Sequence, residues 1–172
     1  MEVAAMLLDA GADVAAQTKS WGHPIDAVYL AASAKNLPMF ELLLKRGADA
    51  SKALGPALWN ATLDFAALAM EHGGDPDLCV FEERPLLNQL IRWGQIPQTM
   101  WLLARRANPN IADAENGWTA VHQAASRGNA RMMRAVLDAG GDLRRRDKHG
   151  RTPVDIARAP GRDKLVAMAA CQ

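Results

Sequence analysis

A chain of 172 residues lies within the range of one domain, and its aromatic share of 5% favours helical repeats over a sheet protein. Cys79 and Cys171 are too few for a disulfide framework and lack the paired spacing of a zinc site. The net charge of +1 conceals an uneven division, because residues 1–80 carry −5 and residues 81–172 carry +6.

The N-terminal segment predicts a helix that ends at Gly11. Its apolar run has no preceding basic region and is broken by Asp9, so we expect neither a secretory signal nor a membrane span, and we expect a cytoplasmic protein. Val3, Met6 and Leu7 form an apolar face on this helix, and the sequence has no partner helix before them to cover it. Three explanations stay open: a fragment of a longer array, packing against another molecule, or shielding by the terminal residues.

Five short corners end apolar helical runs along the chain, at spacings of 36, 26, 33 and 34 residues. Gly in a corner allows the left-handed backbone that closes a helix. Arg106 takes the place of Gly once, so we expect that this helix ends differently. The spacing of 26 predicts that the third unit has lost about two helical turns. The corners are Gly11-Ala12-Asp13, Gly47-Ala48-Asp49, Gly73-Gly74-Asp75, Arg106-Ala107-Asn108 and Gly140-Gly141-Asp142.

Between the corners, apolar residues recur at helical spacing, which predicts that the helix before each corner has a buried apolar stripe. We also expect Trp59 and Trp101 to lie in the core, because both fall within helical runs. The predicted stripes are Phe40, Leu43 and Leu44; Met100, Leu103 and Ala104; and Met132, Met133, Val136 and Leu137.

Thr119 and Thr152, 33 residues apart, open two similar segments. A Thr hydroxyl can cap the first turn of a helix, and Pro153 follows Thr152 where a missing N–H costs nothing. Each Thr therefore predicts a helix start. Units of this length with two short helices cannot bury their apolar faces alone, so the sequence predicts a stack of repeats.

The segment Thr119-Ala120-Val121-His122-Gln123-Ala124-Ala125 resembles the Thr-Pro-Leu-His-x-Ala mark of the ankyrin repeat family. Asp26 to Ala32 and Arg84 to Asn88 are weaker versions, and Lys52 to Leu58 retains little beyond a displaced Gly55-Pro56. The resemblance implies an all-α, ankyrin-type helix-turn-helix solenoid of about six repeats, the first a half repeat and the third shortened. It implies one domain over 1–172, with approximate units 1–20, 21–51, 52–78, 79–113, 114–146 and 147–172.

In this family partners are usually bound by the turn tips and by outward positions of the first helices, so the resemblance implies a partner-binding surface. Trp118 is the strongest candidate, since neither helix needs a large aromatic at that turn. The alternative is that Trp118 packs across the neighbouring turn. The implied surface comprises Trp21, His23, Ser33, Glu83, Arg92, Trp93, Trp118, Ser126, Arg127, Lys148, His149 and Arg151.

No catalytic constellation is apparent, because the sequence has no phosphate loop, no paired metal ligands and no nucleophile elbow. His122 occupies the His of the repeat mark, where the resemblance implies a structural bond to the cap Thr. We therefore expect no catalytic residue, no cofactor and no metal, and a monomer that binds a protein rather than nucleic acid or a membrane. The expected function is a noncatalytic module that binds a protein partner.

Two other functions stay open. The chain could be a regulatory segment of a larger protein. Alternatively, the basic residues of the C-terminal half could steer nucleic acid or acidic ligands to it. These residues are Arg127, Arg131, Arg134, Arg144, Arg145, Arg146, Lys148 and Arg151.

Overall fold

The computed structural model of the protein describes residues 2–20, 23–59, 62–80 and 83–158. The chain divides into two compact units, Met1–Asp75 and Pro76–Gln172. Helices dominate both units, and the only strands among the described residues form two short antiparallel pairs, so the predicted all-α, ankyrin-type fold is confirmed. The assignment of 1–172 to a single domain stays a prediction.

The first unit begins with helix α1, followed by a strand pair and two helix pairs. The strands pair from Gln17 opposite Asp26 to Ser20 opposite His23. Asp26 then caps α2, because its Oδ1 accepts from the amide of Tyr29 at 2.8 Å. The elements are α1 (Glu2–Asp9), β1 (Gln17–Ser20), β2 (His23–Asp26), α2 (Ala27–Ser33), α3 (Leu37–Lys45), α4 (Ala50–Trp59) and α5 (Leu63–Glu71).

The core of the first unit lies between α2, α3, α4 and α5. The predicted stripe of Phe40, Leu43 and Leu44 is buried and therefore confirmed. Phe40 meets Phe65 of α5 edge to face, with ring centroids 5.0 Å apart. In contrast, Val3, Met6 and Leu7 on α1 are exposed.

The third repeat is short because of its loop, not because of its helices. The prediction of two lost helical turns is wrong, since α4 has 10 residues and α5 has 9. Helix α4 begins at Ala50, directly after the corner, and Asp49 Oδ1 accepts from the amides of Ser51 and Lys52 at 3.0 and 3.3 Å. Asp49 of the corner thus caps α4 directly, with no loop between the corner and this helix. Gly55-Pro56 falls inside α4.

The second unit contains a short strand pair, two helix pairs and a final helix. Helix α8 lies at the centre, in contact with α6, α9 and α10. The elements are β3 (Cys79–Val80), β4 (Arg84–Pro85), α6 (Leu86–Arg92), α7 (Ile96–Leu103), α8 (Ala120–Arg127), α9 (Ala130–Asp138) and α10 (Pro153–Ala157). Cys79 is exposed, and Cys171 lies outside the described residues.

Helices α8 and α10 begin where the sequence predicts. Thr119 and Thr152 are their N-caps, and Thr152 forms a capping box with Asp155. The buried stripe on α9, from Met132 to Leu137, is confirmed as well.

The predicted stripe on α7 is wrong. The buried residues are Gln98, Thr99 and Leu102, while Met100 is 38% exposed. A buried Thr is tolerated because the hydroxyl of Thr99 donates to the carbonyl of Gln95 at 2.8 Å. The inward face is therefore displaced by one residue from the apolar pattern.

Trp59 and Trp101 are half-buried, so their assignment to the core is also wrong. The guanidinium of Arg105 lies 3.5 Å from the ring centroid of Trp101 and covers part of it. A long cation can thus shield a surface tryptophan, which apolar spacing alone does not indicate.

The corners at Gly11, Gly47, Gly73 and Gly140 have φ between 88° and 91°, which confirms their role as helix ends. The expectation for Arg106 is wrong, because its φ of 65° is also left-handed. Its amide and that of Ala107 donate to Leu103 and Leu102, as the amides of Gly140 and Gly141 donate to Leu137 and Val136. The fourth corner keeps the same hydrogen bonds despite its Cβ.

In the part of the chain that the structure describes, no helix combines the length and the hydropathy needed to cross a bilayer.

Replacing Arg106 with Gly removes a Cβ from a left-handed position, so Arg106→Gly should raise the free energy of unfolding by about 1 kcal/mol. Urea unfolding followed by circular dichroism measures this. Gly140→Arg is the matched control, because a Cβ there meets no atom within 4 Å and any loss is due to the backbone. It should lose a similar amount, and a loss of stability in Arg106→Gly would contradict the strain.

Candidate functional site

The turn before α10 is built around the buried carboxylate of Asp147. Its Oδ1 accepts from the amides of His149 and Arg151, both at 2.9 Å. Its Oδ2 accepts from Arg151 Nε at 2.9 Å and from the indole Nε1 of Trp118 at 3.1 Å. Burial alone would raise the pKa of Asp147, but these hydrogen bonds outweigh it and hold the pKa well below its usual range. The side chain is therefore an anion that joins two successive turns.

The turn before α8 uses Asp113 in the same way. Asp113 is buried, and its Oδ1 accepts from the amides of Asn116, Gly117 and Trp118 at 2.7, 3.1 and 3.3 Å. Sequence reasoning did not single out either aspartate. The available signal was the recurrence of Asp at a spacing of 34, shortly before the turn glycines Gly117 and Gly150.

His122 fastens α8 to both turns. Its Nδ1 accepts from the amide of Thr119 at 3.2 Å and lies 2.9 Å from the Thr119 hydroxyl, while Nε2 donates to the carbonyl of Arg151 at 3.2 Å. The ring is fully buried, and this burial lowers the pKa of His122. The structural role expected for this histidine is confirmed.

Asn88 does for α6 what His122 does for α8. It stands 34 residues earlier, and its Nδ2 donates to the carbonyl of Trp118 at 2.7 Å. The weak copy of the repeat mark in the fourth unit therefore keeps the same link to the next turn, with an amide in place of an imidazole.

Trp118 is held on two sides. Besides its bond to Asp147, the indole ring stacks on His122, with centroids 6.4 Å apart and planes inclined by 18°. Trp118 is half-buried and also lines an open groove. The packing role weighed for Trp118 and its position on an accessible surface therefore coexist.

This groove, named here the α6–α8 groove, has a volume of about 310 Å³. It brings together four predicted residues from two first helices and one turn: Arg92, Trp118, Ser126 and Arg127. Its other lining residues, which sequence reasoning missed, are Glu115, Asn116 and Gln123. Glu115 and Asn116 belong to the Asp113 turn, while Gln123 directly follows the repeat histidine on α8.

The remaining predicted residues lie apart from the groove lining. Lys148, His149 and Arg151 are exposed on the Asp147 turn, and the amide of Lys148 donates to the carbonyl of Asn116 at 2.9 Å. Glu83 and Trp93 are exposed at either end of the β4–α6 segment. Three predicted residues belong to the first unit: Ser33, exposed at the end of α2; His23, of which only the backbone is described; and Trp21, outside the described residues.

Within the described ranges, no group of three or more His, Cys, Asp or Glu side chains is placed to hold a metal ion. The described lining of the groove holds one carboxylate, two guanidinium groups, amides, a hydroxyl and an indole, which suit hydrogen bonding and ion pairing. Its chemistry is that of recognition.

A family model described as ankyrin repeats in many copies matches residues 102–157, which include α8 and the Asp113 turn. The chain is 35% identical over 116 residues to cyclin-dependent kinase 4 inhibitor B of Bos taurus, covering 67% of this chain and 86% of that protein. It is 39% identical over 67 residues to E3 ubiquitin-protein ligase KEG of Arabidopsis thaliana, covering 39% of this chain and 4% of the relative. It is 40% identical over 58 residues to diacylglycerol kinase iota of Homo sapiens, covering 34% and 6% respectively. The chain thus spans a small part of these two larger relatives.

Replacing the buried anion should weaken the second unit. Asp147→Asn should lower the free energy of unfolding by about 2 kcal/mol near neutral pH, because charge-assisted hydrogen bonds are lost. Since the folded pKa lies below the unfolded value of about 3.9, the stabilisation is present above about pH 4 and is lost as the pH falls through the folded pKa. The gap between wild type and variant in urea unfolding should therefore narrow in acid. Asp138→Asn, on the exposed end of α9, is the control and should change stability by less than about 0.5 kcal/mol.

His122 should make stability depend on pH in a mildly acidic range. The folded state lowers the pKa of His122, so protonation of its ring favours the unfolded chain. The stabilisation from the neutral ring is fully present above the unfolded pKa of about 6.5 and declines as the pH falls below it. The midpoint temperature of thermal unfolding should therefore be lower at about pH 5 than at about pH 7. His122→Gln keeps a capping side chain without a titrating ring and should show a smaller decline. Equal declines in both proteins would assign the effect to other groups.

Proposed function

Because the chain belongs to the ankyrin repeat family, we propose that it is a noncatalytic module that binds a protein partner through the α6–α8 groove. Cyclin-dependent kinase 4 inhibitor B covers most of the chain and is named for inhibiting another protein, which supports a binding role here. A monomeric state and a cytoplasmic location are part of the same proposal.

One observation supports the groove above other surfaces. The sequence predicts Arg92, Trp118, Ser126 and Arg127 as contact residues because they fall at turn tips or outward first-helix positions, and all four line one concavity. Arg and Trp are the residues that most often dominate binding energy. Their convergence favours the groove as the contact surface, with Lys148, His149 and Arg151 of the next turn, together with Glu83 and Trp93, as its extension.

Binding would rely on a surface that is already ordered. Trp118 is fixed by Asp147 and His122, and the Asp113 turn is fixed by three amide bonds to one carboxylate oxygen. A side chain that is immobile before binding loses little conformational entropy when a partner arrives. Affinity can therefore come from a few contacts.

The second candidate, a regulatory segment of a larger protein, is favoured by the small share that the chain represents of a ubiquitin ligase and a diacylglycerol kinase. It is compatible with a groove that binds protein, since such a segment can act by holding a partner or another domain. Binding of nucleic acid has weaker support, because Arg146 and Arg151 donate to the Gly150 carbonyl and the Asp147 carboxylate of their own turn.

The groove can be tested by removing its two cations. The double variant Arg92→Ala, Arg127→Ala should lose protein partners in affinity capture from the native lysate, because it removes two anchors from the concavity. Quantitative mass spectrometry of the captured proteins measures the loss.

Arg131→Ala, Arg134→Ala is the matched control. Both of its arginines are exposed on α9, and the variant removes the same charge from the same unit. It should retain the wild-type partners. If the groove variant captures the same proteins as wild type, the groove is not the contact surface.

A further inference from the structure

In the part of its lining that the structure describes, the groove carries more positive than negative charge. Among the described lining residues Glu115 is the one carboxylate, and its Oε2 accepts from the guanidinium of Arg84. Arg84 is only 6% exposed and also donates to Gln89 Oε1 at 3.1 Å, so it lies behind the groove wall. A buried cation requires a counter-charge, and Glu115 supplies it.

Arg92 and Arg127 remain as the groove's accessible cations. Nη1 of Arg92 is 4.0 Å from the same oxygen that already holds Arg84, and half of the Arg92 side chain is exposed. Among the described residues, Arg127 takes part in no ion pair. Among the described lining residues, two guanidinium groups therefore face one carboxylate that is already bonded to Arg84, so positive charge is in excess.

Both accessible arginines line the same groove. Nη2 of Arg127 lies 3.3 Å from the position that a Cβ on Gly94 would occupy, so its side chain reaches from α8 to the residue that follows the C-cap of α6. Each arginine is in the last turn of its helix, where a cation also interacts favourably with free carbonyls. That effect accounts for a positive charge at each helix end, but it does not require both side chains to line one concavity.

We propose that the α6–α8 groove accepts an Asp or Glu side chain from an acidic segment of the protein partner. Arg92 and Arg127 would hold the carboxylate, and the apolar part of the segment would lie on Trp118. The proposal rests on the proposed function and specifies the chemistry of its partner. Guanidinium groups match a carboxylate in geometry as well as charge, because each can donate two parallel hydrogen bonds.

Size and polar lining agree with such an occupant. A volume of about 310 Å³ is at the lower end for ligand sites, which suits one or two side chains of a peptide. Ser126 and the amides of Asn116 and Gln123 can donate to carboxylate oxygens that the arginines leave unsatisfied. A nonpolar peptide would instead leave two guanidinium groups and these donors without partners, at a cost in affinity.

A phage-displayed library of short random peptides, selected at low salt against the full chain, tests the proposal. The selected peptides should share an Asp or Glu, and they should bind Arg131→Ala, Arg134→Ala like wild type but lose binding to Arg92→Ala, Arg127→Ala. Replacing the shared acid by Asn or Gln in a synthetic copy should weaken binding to wild type about tenfold or more. The same replacement should matter little for the groove variant.

Peptides without a shared acid, peptides that bind the groove variant equally well, or no enriched peptide would each overturn the proposal. Displacement of the peptide by a single-stranded DNA of mixed sequence would overturn it in favour of a nucleic acid. The affinity capture from lysate distinguishes failure of the acidic-segment proposal from failure of the groove as the contact surface. If the groove variant loses protein partners while the selected peptides lack an acid, the acidic segment is wrong and the groove stands. If both experiments leave the groove variant like wild type, the proposed contact surface is wrong too.

Discussion

Hydrogen bonds from one repeat to the turn of the next decide where the groove side chains lie. Asn88 donates to the Trp118 carbonyl and His122 to the Arg151 carbonyl, so each first helix holds the turn about 30 residues further along. Helices of seven to nine residues, such as α6 to α9, are too short to be stable alone. Each repeat therefore depends on its neighbour for the position of its turn as well as for burial of its core.

In the turns around Asp113 and Asp147, hydrogen bonds offset the free energy needed to bury a carboxylate. Asp147 uses both oxygens, and its Oδ2 accepts from side chains of two successive turns, Trp118 and Arg151. Asp113 uses Oδ1 for three amides, while its Oδ2 has no hydrogen-bond partner among the described residues. Both turns therefore offset the desolvation of a carboxylate with bonds from their own backbone amides, and the Asp147 turn adds a bond from the turn before it.

The sequence predicts best what depends on neighbouring residues. Thr119, Thr152 and the glycines of the corners cap or close a helix through groups within a few residues, and each does so in the structure. The left-handed backbone of Arg106 was not predicted because the sequence argument depended on Gly, whereas this corner is closed by backbone bonds to the carbonyls of Leu103 and Leu102 that do not involve the side chain. The α7 face was misjudged because Gln98 and Thr99 are buried as polar residues, and a pattern of apolar letters does not register them.

The candidate site follows the same division. Arg92, Trp118, Ser126 and Arg127 occupy positions that the repeat register marks as outward, so they could be selected without coordinates. Glu115 could not, because its significance comes from Arg84, 31 residues earlier and buried. Among the described lining residues Glu115 is the one carboxylate, and its bond to Arg84 leaves Arg92 and Arg127 without a close counter-charge of their own. A count of charges along the sequence shows only that the C-terminal half is basic, not which cations remain available.

Trp118 shows why packing and recognition need not be alternatives at a repeat turn. A free indole on a loop would lose rotational freedom when a partner binds, and that loss would offset much of the contact energy. The bond to Asp147 and the stacking on His122 restrict the ring beforehand, within the folding of the repeat itself. The contacts that make Trp118 look like a packing residue are therefore the ones that let its exposed part serve as a rigid anchor.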